Sequence, residues 1–163
     1  MKVYKNILSK KERLKLLKFI KTKIIDFGPH HPGLQSGNNL HEYKELKFLL
    51  NKIKNIISNY KIKTCWANQS NGQFICWHQH PGCDKTMVYY LKNKSNMGTM
   101  FKLDNSYVKR SDNYYDVKVT KGLENSLVFF NSDLVHSVPC HLPEERYSIA
   151  FELIEKWNYL ELR

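Results

Sequence analysis

Apolar positions in the first sixty residues step by three and four, and after Tyr60 they step by two. Leu14, Leu16, Leu17, Ile20 and Ile24 follow Ser9-Lys10-Lys11-Glu12, a serine with a glutamate three residues on, which is the pattern of a capping box. The spacing predicts a first helix over 10–25. From Leu40 the series Tyr43, Leu46, Leu49, Leu50, Ile53, Ile56, Ile57 and Tyr60 predicts a second, stronger amphipathic helix over 40–60. Between them, 27–39 is punctuated by glycine and proline and reads as loop.

Beyond Tyr60, short runs rich in β-branched and aromatic residues alternate with Gly, Asn, Asp, Lys and Ser clusters. They predict strands at 62–69, 73–79, 85–92, 98–103, 115–120, 125–131, 134–139 and 146–154. Eight short strands with no helix between them imply antiparallel pairing, in a sandwich or jelly roll. The expected architecture is mainly β with N-terminal helices covering one outer face. It forms one domain over 1–163, with a helical part at 1–60 and a β core at 61–155.

Composition narrows the class. With 42% hydrophobic and 13% aromatic residues the chain should fold. No apolar run is long enough to span a bilayer, and Met1-Lys2-Val3-Tyr4-Lys5 does not begin a signal peptide, so no membrane role is expected. The expected location is the cytoplasm of a bacterium or of a virus-infected host cell. Cys65, Cys76, Cys83 and Cys140 include no Cys-x-x-Cys pair and read as free thiols. The net charge of +11 is compatible with nucleic acid or with an anionic substrate. Because the lysines spread evenly over predicted helices and loops, a solvated surface is the stronger reading.

Candidate chemistry centres on Trp77-His78-Gln79-His80-Pro81-Gly82. Two histidines two apart in a strand-like run share a face, and imidazole is a common metal ligand. A third strand-placed histidine, His136, follows Phe129-Phe130-Asn131. Ten residues later Arg146 and Ser148 share parity, and a guanidinium beside a hydroxyl is a receptor for a carboxylate. An arginine pointing into a β core is costly unless an anion meets it. Trp77 has the opposite parity from His78 and reads as core or helix packing. His30-His31 and the polar, aromatic loop at 104–115, with Tyr107, Lys109, Arg110 and Tyr114, are weaker substrate contacts.

His-x-His, the strand Val88-Tyr89-Tyr90-Leu91, Phe-Phe-Asn-x-x-x-x-His-x-Val and Arg-x-Ser-Ile-Ala-Phe together resemble the Fe(II)/2-oxoglutarate-dependent oxygenases. The likeness is to small phage or bacterial members of prolyl-hydroxylase type, and it runs from about 33 to 154, taking in Gly33-Leu34-Gln35-Ser36 and Trp66-Ala67-Asn68. It implies a double-stranded β-helix, a distorted cupin-like jelly roll. It implies iron held by His78, His80 and His136, and 2-oxoglutarate held by Arg146 and Ser148 with Tyr90 and Asn68. The implied reaction uses O2 to couple decarboxylation of 2-oxoglutarate to hydroxylation of a substrate, prolyl or otherwise, in a protein, peptide or small molecule, with ascorbate as an accessory reductant.

One departure leaves alternatives open. Where most relatives carry an acid, this chain has His80. The site is then a three-histidine facial site, or a His-x-Gly site leaving a position for chloride as in halogenating relatives, or one in which Asp84 or another acid bends in, or no working site. Nucleobase or nucleotide oxidation and a non-catalytic jelly-roll binding protein remain alternative functions.

Overall fold

A computed structural model describes residues 1–27, 34–70, 72, 74–95, 97–102, 117–121, 124–140, 142–143 and 145–156. His30, His31, Gly33 and the whole 104–115 segment lie outside the described residues. The chain runs β1 (Lys2–Lys5), α1 (Lys10–Lys21), β2 (Leu34–Gln35), two 3-10 turns (Leu40–Glu42, Lys44–Leu46), α2 (Lys47–Ile53), β3 (Tyr60–Gln69), β4 (Ile75–His78), β5 (Lys85–Asn93), β6 (Met97–Lys102), β7 (Val117–Lys121), β8 (Ser126–Asn131), β9 (His136–Val138) and β10 (Arg146–Glu155).

The strands form two antiparallel sheets. One has six strands in the order β1-β8-β5-β10-β3-β2, the other four in the order β4-β9-β6-β7. This is the expected jelly roll, and all eight predicted strands are present. Two further strands are not foretold by the pattern. β1 is an edge strand, Lys2-Val3-Tyr4-Lys5, paired to β8, and β2 is a two-residue strand on the far edge against β3.

Alternation along the central strands explains where the core lies. Tyr147, Ile149, Phe151 and Leu153 of β10 pack outward with Met87, Tyr89 and Leu91 of β5, under Leu16 and Ile20 of α1 and Leu49 and Ile53 of α2. The opposite parity faces the four-stranded sheet, where Val88, Tyr90, Val128, Phe130 and Phe101 make a smaller inner cluster. Burying each such side chain contributes about 1.5–3 kcal/mol, so the helices seal the outer face of the larger sheet. The inner face of β10 is Arg146, Ser148, Ala150 and Glu152. A strand whose polar face points inward is building a site.

The helices depart from expectation in extent. The Ser9–Glu12 capping box forms as predicted, with Glu12 accepting from the Ser9 N–H at 2.8 Å and Ser9 Oγ accepting from the Glu12 N–H at 3.3 Å. The helix ends at Lys21, not 25. Thr22 Oγ1 donates to the Phe19 carbonyl at 2.7 Å, and Ile25 instead pairs with Gln35 as an extended bridge. The predicted helix at 40–60 is broken into the two 3-10 turns, the seven-residue α2 and non-helical turns beyond it. Tyr43 takes an extended backbone between the turns, and its ring lies under Lys23 rather than in the core.

Asn125 joins the N-terminal segment to the sheet. At φ 65° it sits in the left-handed region, where its side chain accepts from the Leu8 N–H (2.9 Å) and the Tyr89 hydroxyl (2.8 Å) and donates to the Leu8 carbonyl (2.7 Å). All four cysteines are free, and burial pushes the Cys65 thiol up. Trp77 is neither core nor helix packing. It is half-buried in β4, with the Lys102 ammonium 5.3 Å above its ring.

Candidate metal and anion site

The register of β10 with its two neighbours sets inward residues in rows. Asn68, Ser148 and Tyr90 are partners across β3, β10 and β5. Trp66, Ala150 and Val88 form the next row, and Thr64, Glu152 and Thr86 the one after. Rows two residues apart are separated by ~7 Å. Ala150, small and in the middle row, leaves the space into which the cavity opens. That cavity has a volume of about 230 Å³ and is walled by polar groups, among them Gln35, Asn68, Thr99, Arg146 and Ser148, together with all three candidate histidines.

β4 and β9 supply the histidines from the opposite sheet. His78 ends β4 and His136 begins β9, and the two are register partners. His80 lies just past the strand, where its backbone N–H bonds the Ser132 carbonyl at 3.0 Å. Gly82, at φ 78°, then turns the chain toward β5. The ring centroids of His78 and His136 are 4.2 Å apart, those of His78 and His80 5.1 Å, and those of His80 and His136 5.0 Å. Their ligating nitrogens all lie within 4.8 Å of one another.

Each Nδ1 is occupied on the far side of the cluster. His78 Nδ1 is 2.7 Å from the Cys76 carbonyl, His136 Nδ1 is 2.8 Å from the Leu134 carbonyl, and His80 Nδ1 is 3.0 Å from Glu152 Oε1. An acceptor opposite Nδ1 fixes the proton there and turns the Nε2 lone pair inward, which is how metal-binding imidazoles are held. The Nε2 atoms of His80 and His136 face each other at 3.2 Å. Two lone pairs do not meet at that distance unless a proton or a cation lies between them. Two imidazole nitrogens at right angles on one ion, with bonds of ~2.1 Å, are themselves separated by ~3.0 Å. The donor set fits a divalent transition metal. Burial, with the neighbouring His78 second, holds His136 down to about 3; burial and His78 also lower His80, against the opposing pull of Glu152. Both are therefore neutral, as ligands must be, at ordinary pH.

Arg146 opens β10 with 3% of its surface exposed, and Ser148 has 1%. No ion pair between Arg146 and a carboxylate exists among the described residues. The Arg146 Nε and the Ser148 Oγ are buried without a hydrogen-bond partner. Burial pulls the guanidinium below its ordinary range, against the opposing pull of Tyr90, a side-chain hydrogen-bond partner whose ring lies 5.4 Å from its central carbon. Orphaned donors of this kind fit a carboxylate entering the cavity. Asn68 lines the same wall. Tyr90 is fully buried and stands behind it: its hydroxyl bonds Thr99 Oγ1 at 2.8 Å and accepts the Thr99 N–H at 2.9 Å. Thr99 therefore reaches the cavity where the sequence points to Tyr90.

Asp84 is not in the cluster. Its carboxylate accepts the Glu155 N–H at 2.7 Å. Gln35, Thr99 and Glu152 also stand at the site, with no site role assigned to them by the sequence pattern. Glu152 shares the inward parity of Arg146 and Ser148, and that signal was available to find it.

A scan against protein-family models finds no match, and a search of curated proteins by sequence finds none. Solved structures do match. A prolyl hydroxylase from Trichoplax adhaerens, in complex with a hypoxia-inducible-factor oxygen-degradation-domain peptide, superposes with TM-score 0.68 at 16% identity over 94% of this chain and 83% of that one. HygX from Streptomyces hygroscopicus, with nickel, 2-oxoglutarate and hygromycin B bound, gives TM-score 0.71 at 8% identity over 95% and 82%. The viral collagen prolyl hydroxylase of Paramecium bursaria Chlorella virus-1, in its 2-oxoglutarate complex, gives 0.63 at 16% over 93% and 94%. At these identities the likeness is one of fold.

Proposed function

We propose that this chain, whose fold is that of the 2-oxoglutarate- and Fe(II)-dependent oxygenases, is itself such an oxygenase and hydroxylates its substrate. The observation that carries the reading is the pairing of two unmet demands in one cavity. Three inward-turned imidazoles form a donor set for a cation, and the buried Arg146 and Ser148 offer donors to an anion. A metal ion held by His78, His80 and His136, with a dicarboxylate reaching from it to Arg146, answers both.

When bound, the iron and 2-oxoglutarate supply the oxidation: O2 is consumed, one oxygen atom enters succinate as CO2 leaves, and the other enters a substrate C–H bond. This chain's residues position and exclude. Arg146 and Ser148 hold the distal carboxylate, with Asn68 and Thr99 beside it. The row spacing of ~7 Å suits an extended five-carbon diacid. The apolar Val88, Ala150 and Val138 line the cavity between the polar groups and keep water from its middle. His80 fills the third ligand position, which removes the vacancy that a halide would need.

The substrate we favour is a residue within a protein or peptide, prolyl among the candidates, because two of the fold relatives are prolyl hydroxylases. No described helix is long and apolar enough to cross a membrane. Titration of anaerobic, metal-loaded protein with 2-oxoglutarate, followed by succinate release on admitting air with a peptide panel, tests the reading. Saturable 2-oxoglutarate binding that requires metal is expected. Metal-loaded protein that binds no 2-oxoglutarate refutes it.

A further inference from the structure

Three neutral imidazoles bring no charge to a divalent ion, so the negative charge near this centre has to come from elsewhere. The carboxylate in contact with the cluster is Glu152. Its Oε1 lies 3.0 Å from His80 Nδ1, and its Oε2 accepts from Thr64 Oγ1 at 2.7 Å. Both partners are largely buried, with side chains 11% exposed for His80 and 17% for Glu152. Glu152 sits on the inward face of β10, in the row with Thr64 and Thr86, and its hydrogen-bond partners among the described residues are one imidazole N–H and one hydroxyl. A partly buried carboxylate at the edge of an open cleft, against partners that need carry no charge, is best accommodated where positive charge stands close by. On the far side of His80 is the point where the three Nε2 atoms converge.

We propose that Glu152 is the positioning residue of the metal centre. From behind His80 it supplies the anionic charge that the three ligands lack, with Thr64 setting how much of that charge the imidazole feels. This rests on the reading of the histidine cluster as a metal site. A carboxylate accepting from Nδ1–H makes the opposite nitrogen a stronger donor and fixes the ring orientation. When Thr64 donates to the second oxygen it draws part of that charge away. Loss of Glu152 and loss of Thr64 should therefore move the centre in opposite directions.

The test uses the full chain, titrated anaerobically with Ni(II) and with Fe(II), in wild type, Glu152→Gln and Thr64→Val. Glutamine can still accept from Nδ1 through its amide oxygen, so it removes charge while keeping the hydrogen bond. Metal affinity should fall about 10- to 100-fold, and the midpoint potential of the bound iron should rise. Thr64→Val should leave affinity equal or higher and lower the potential. If Glu152 serves only as an ion pair or packing group for His80, Glu152→Gln lowers the melting temperature of the metal-free protein but leaves the metal constant and potential at wild-type values; that result overturns the proposal. Potentials that shift the same way in both variants also overturn it. Should Glu152→Gln fold poorly, the sign of the Thr64→Val shift decides. Wild-type protein that binds neither metal removes the metal-site reading itself, and this proposal with it, which is a different result from a wild type that binds and a variant that binds equally.

Discussion

Replacing Arg146 with methionine should stabilise the ligand-free protein and remove most of the stabilisation that 2-oxoglutarate gives. In the ligand-free chain the guanidinium is 3% exposed, its Nε has no partner, and no carboxylate pairs with it among the described residues. The Tyr90 ring at 5.4 Å returns about 0.5–2 kcal/mol, less than the several kcal/mol that burying an uncompensated charge costs. A methionine of similar length should therefore stabilise the ligand-free protein by about 1–4 kcal/mol. For a chain of this size each kcal/mol corresponds to about 2–4 °C in melting temperature. With ligand the gap narrows. At one hundred times its dissociation constant, 2-oxoglutarate stabilises the wild type by about 2.7 kcal/mol, or about 5–10 °C. Truncating one member of a buried charge pair weakens binding by about 2–5 kcal/mol, about 30- to several-thousand-fold, so the variant gains at most about 0.9 kcal/mol at the same concentration. Scanning fluorimetry of Ni(II)-loaded protein with and without 2-oxoglutarate reads both effects. A variant that keeps the wild-type ligand shift refutes the anion-site assignment, and one less stable than the wild type without ligand refutes the account of Arg146 as a charge awaiting its partner.

The depressed histidines set a pH dependence. His136, held down to about 3 mainly by burial, stays neutral in the fold while its unfolded counterpart titrates near ~6.5, so the folded chain binds fewer protons between those values. Stability of the metal-free protein is complete above ~6.5 and is lost as pH falls toward about 3, by ~2 kcal/mol at pH 5 from His136 alone. Urea melts at pH 7.5 and 5 should show this slope, and His136→Phe should flatten it. Asn125→Gly keeps the left-handed backbone but removes three side-chain hydrogen bonds, and should cost about 2–4 kcal/mol in denaturant melts while leaving Ni(II) affinity unchanged. Ala150→Leu fills the middle of the cavity without touching a polar group. It should abolish the 2-oxoglutarate thermal shift, retain Ni(II) binding, and keep the metal-free protein within about 1–3 kcal/mol of wild type.

Much of the β core is legible along the chain because β10 alternates, even though its polar side is the inward one, and β5 and β8 are short runs of β-branched and aromatic residues. The second helix misleads for a physical reason. Leu40, Leu46, Leu49 and Ile53 are all fully or almost fully buried, and their spacing is met equally well by 3-10 turns that follow the sheet surface. β-branched Ile56 and Ile57 then prefer the turns that lead into β3. β1 and β2 are too short to carry a period, and each exists only because an edge of the sheet, formed by residues far along the chain, offers it hydrogen bonds.

The candidate site separates what periodicity can and cannot specify. Parity places Arg146, Ser148 and Tyr90 on the inward face, and it places Glu152 there as well, but it gives no depth, so Tyr90 and Thr99 exchange places between expectation and structure. Parity also survives a slip of two residues in register, whereas the site does not. Such a slip would set Asn68 opposite Ala150 and Thr64 opposite Leu153 or beyond, parting the anion receptor from its row and Glu152 from Thr64. The chain guards against it by pinning β10 at both ends. The Arg146 N–H is held by Ser70 Oγ at 3.0 Å, and the Glu155 N–H by the Asp84 carboxylate at 2.7 Å. Asp84, which the sequence offers as a spare ligand, thus bears on the candidate metal centre from a distance, by fixing the row in which Glu152 stands.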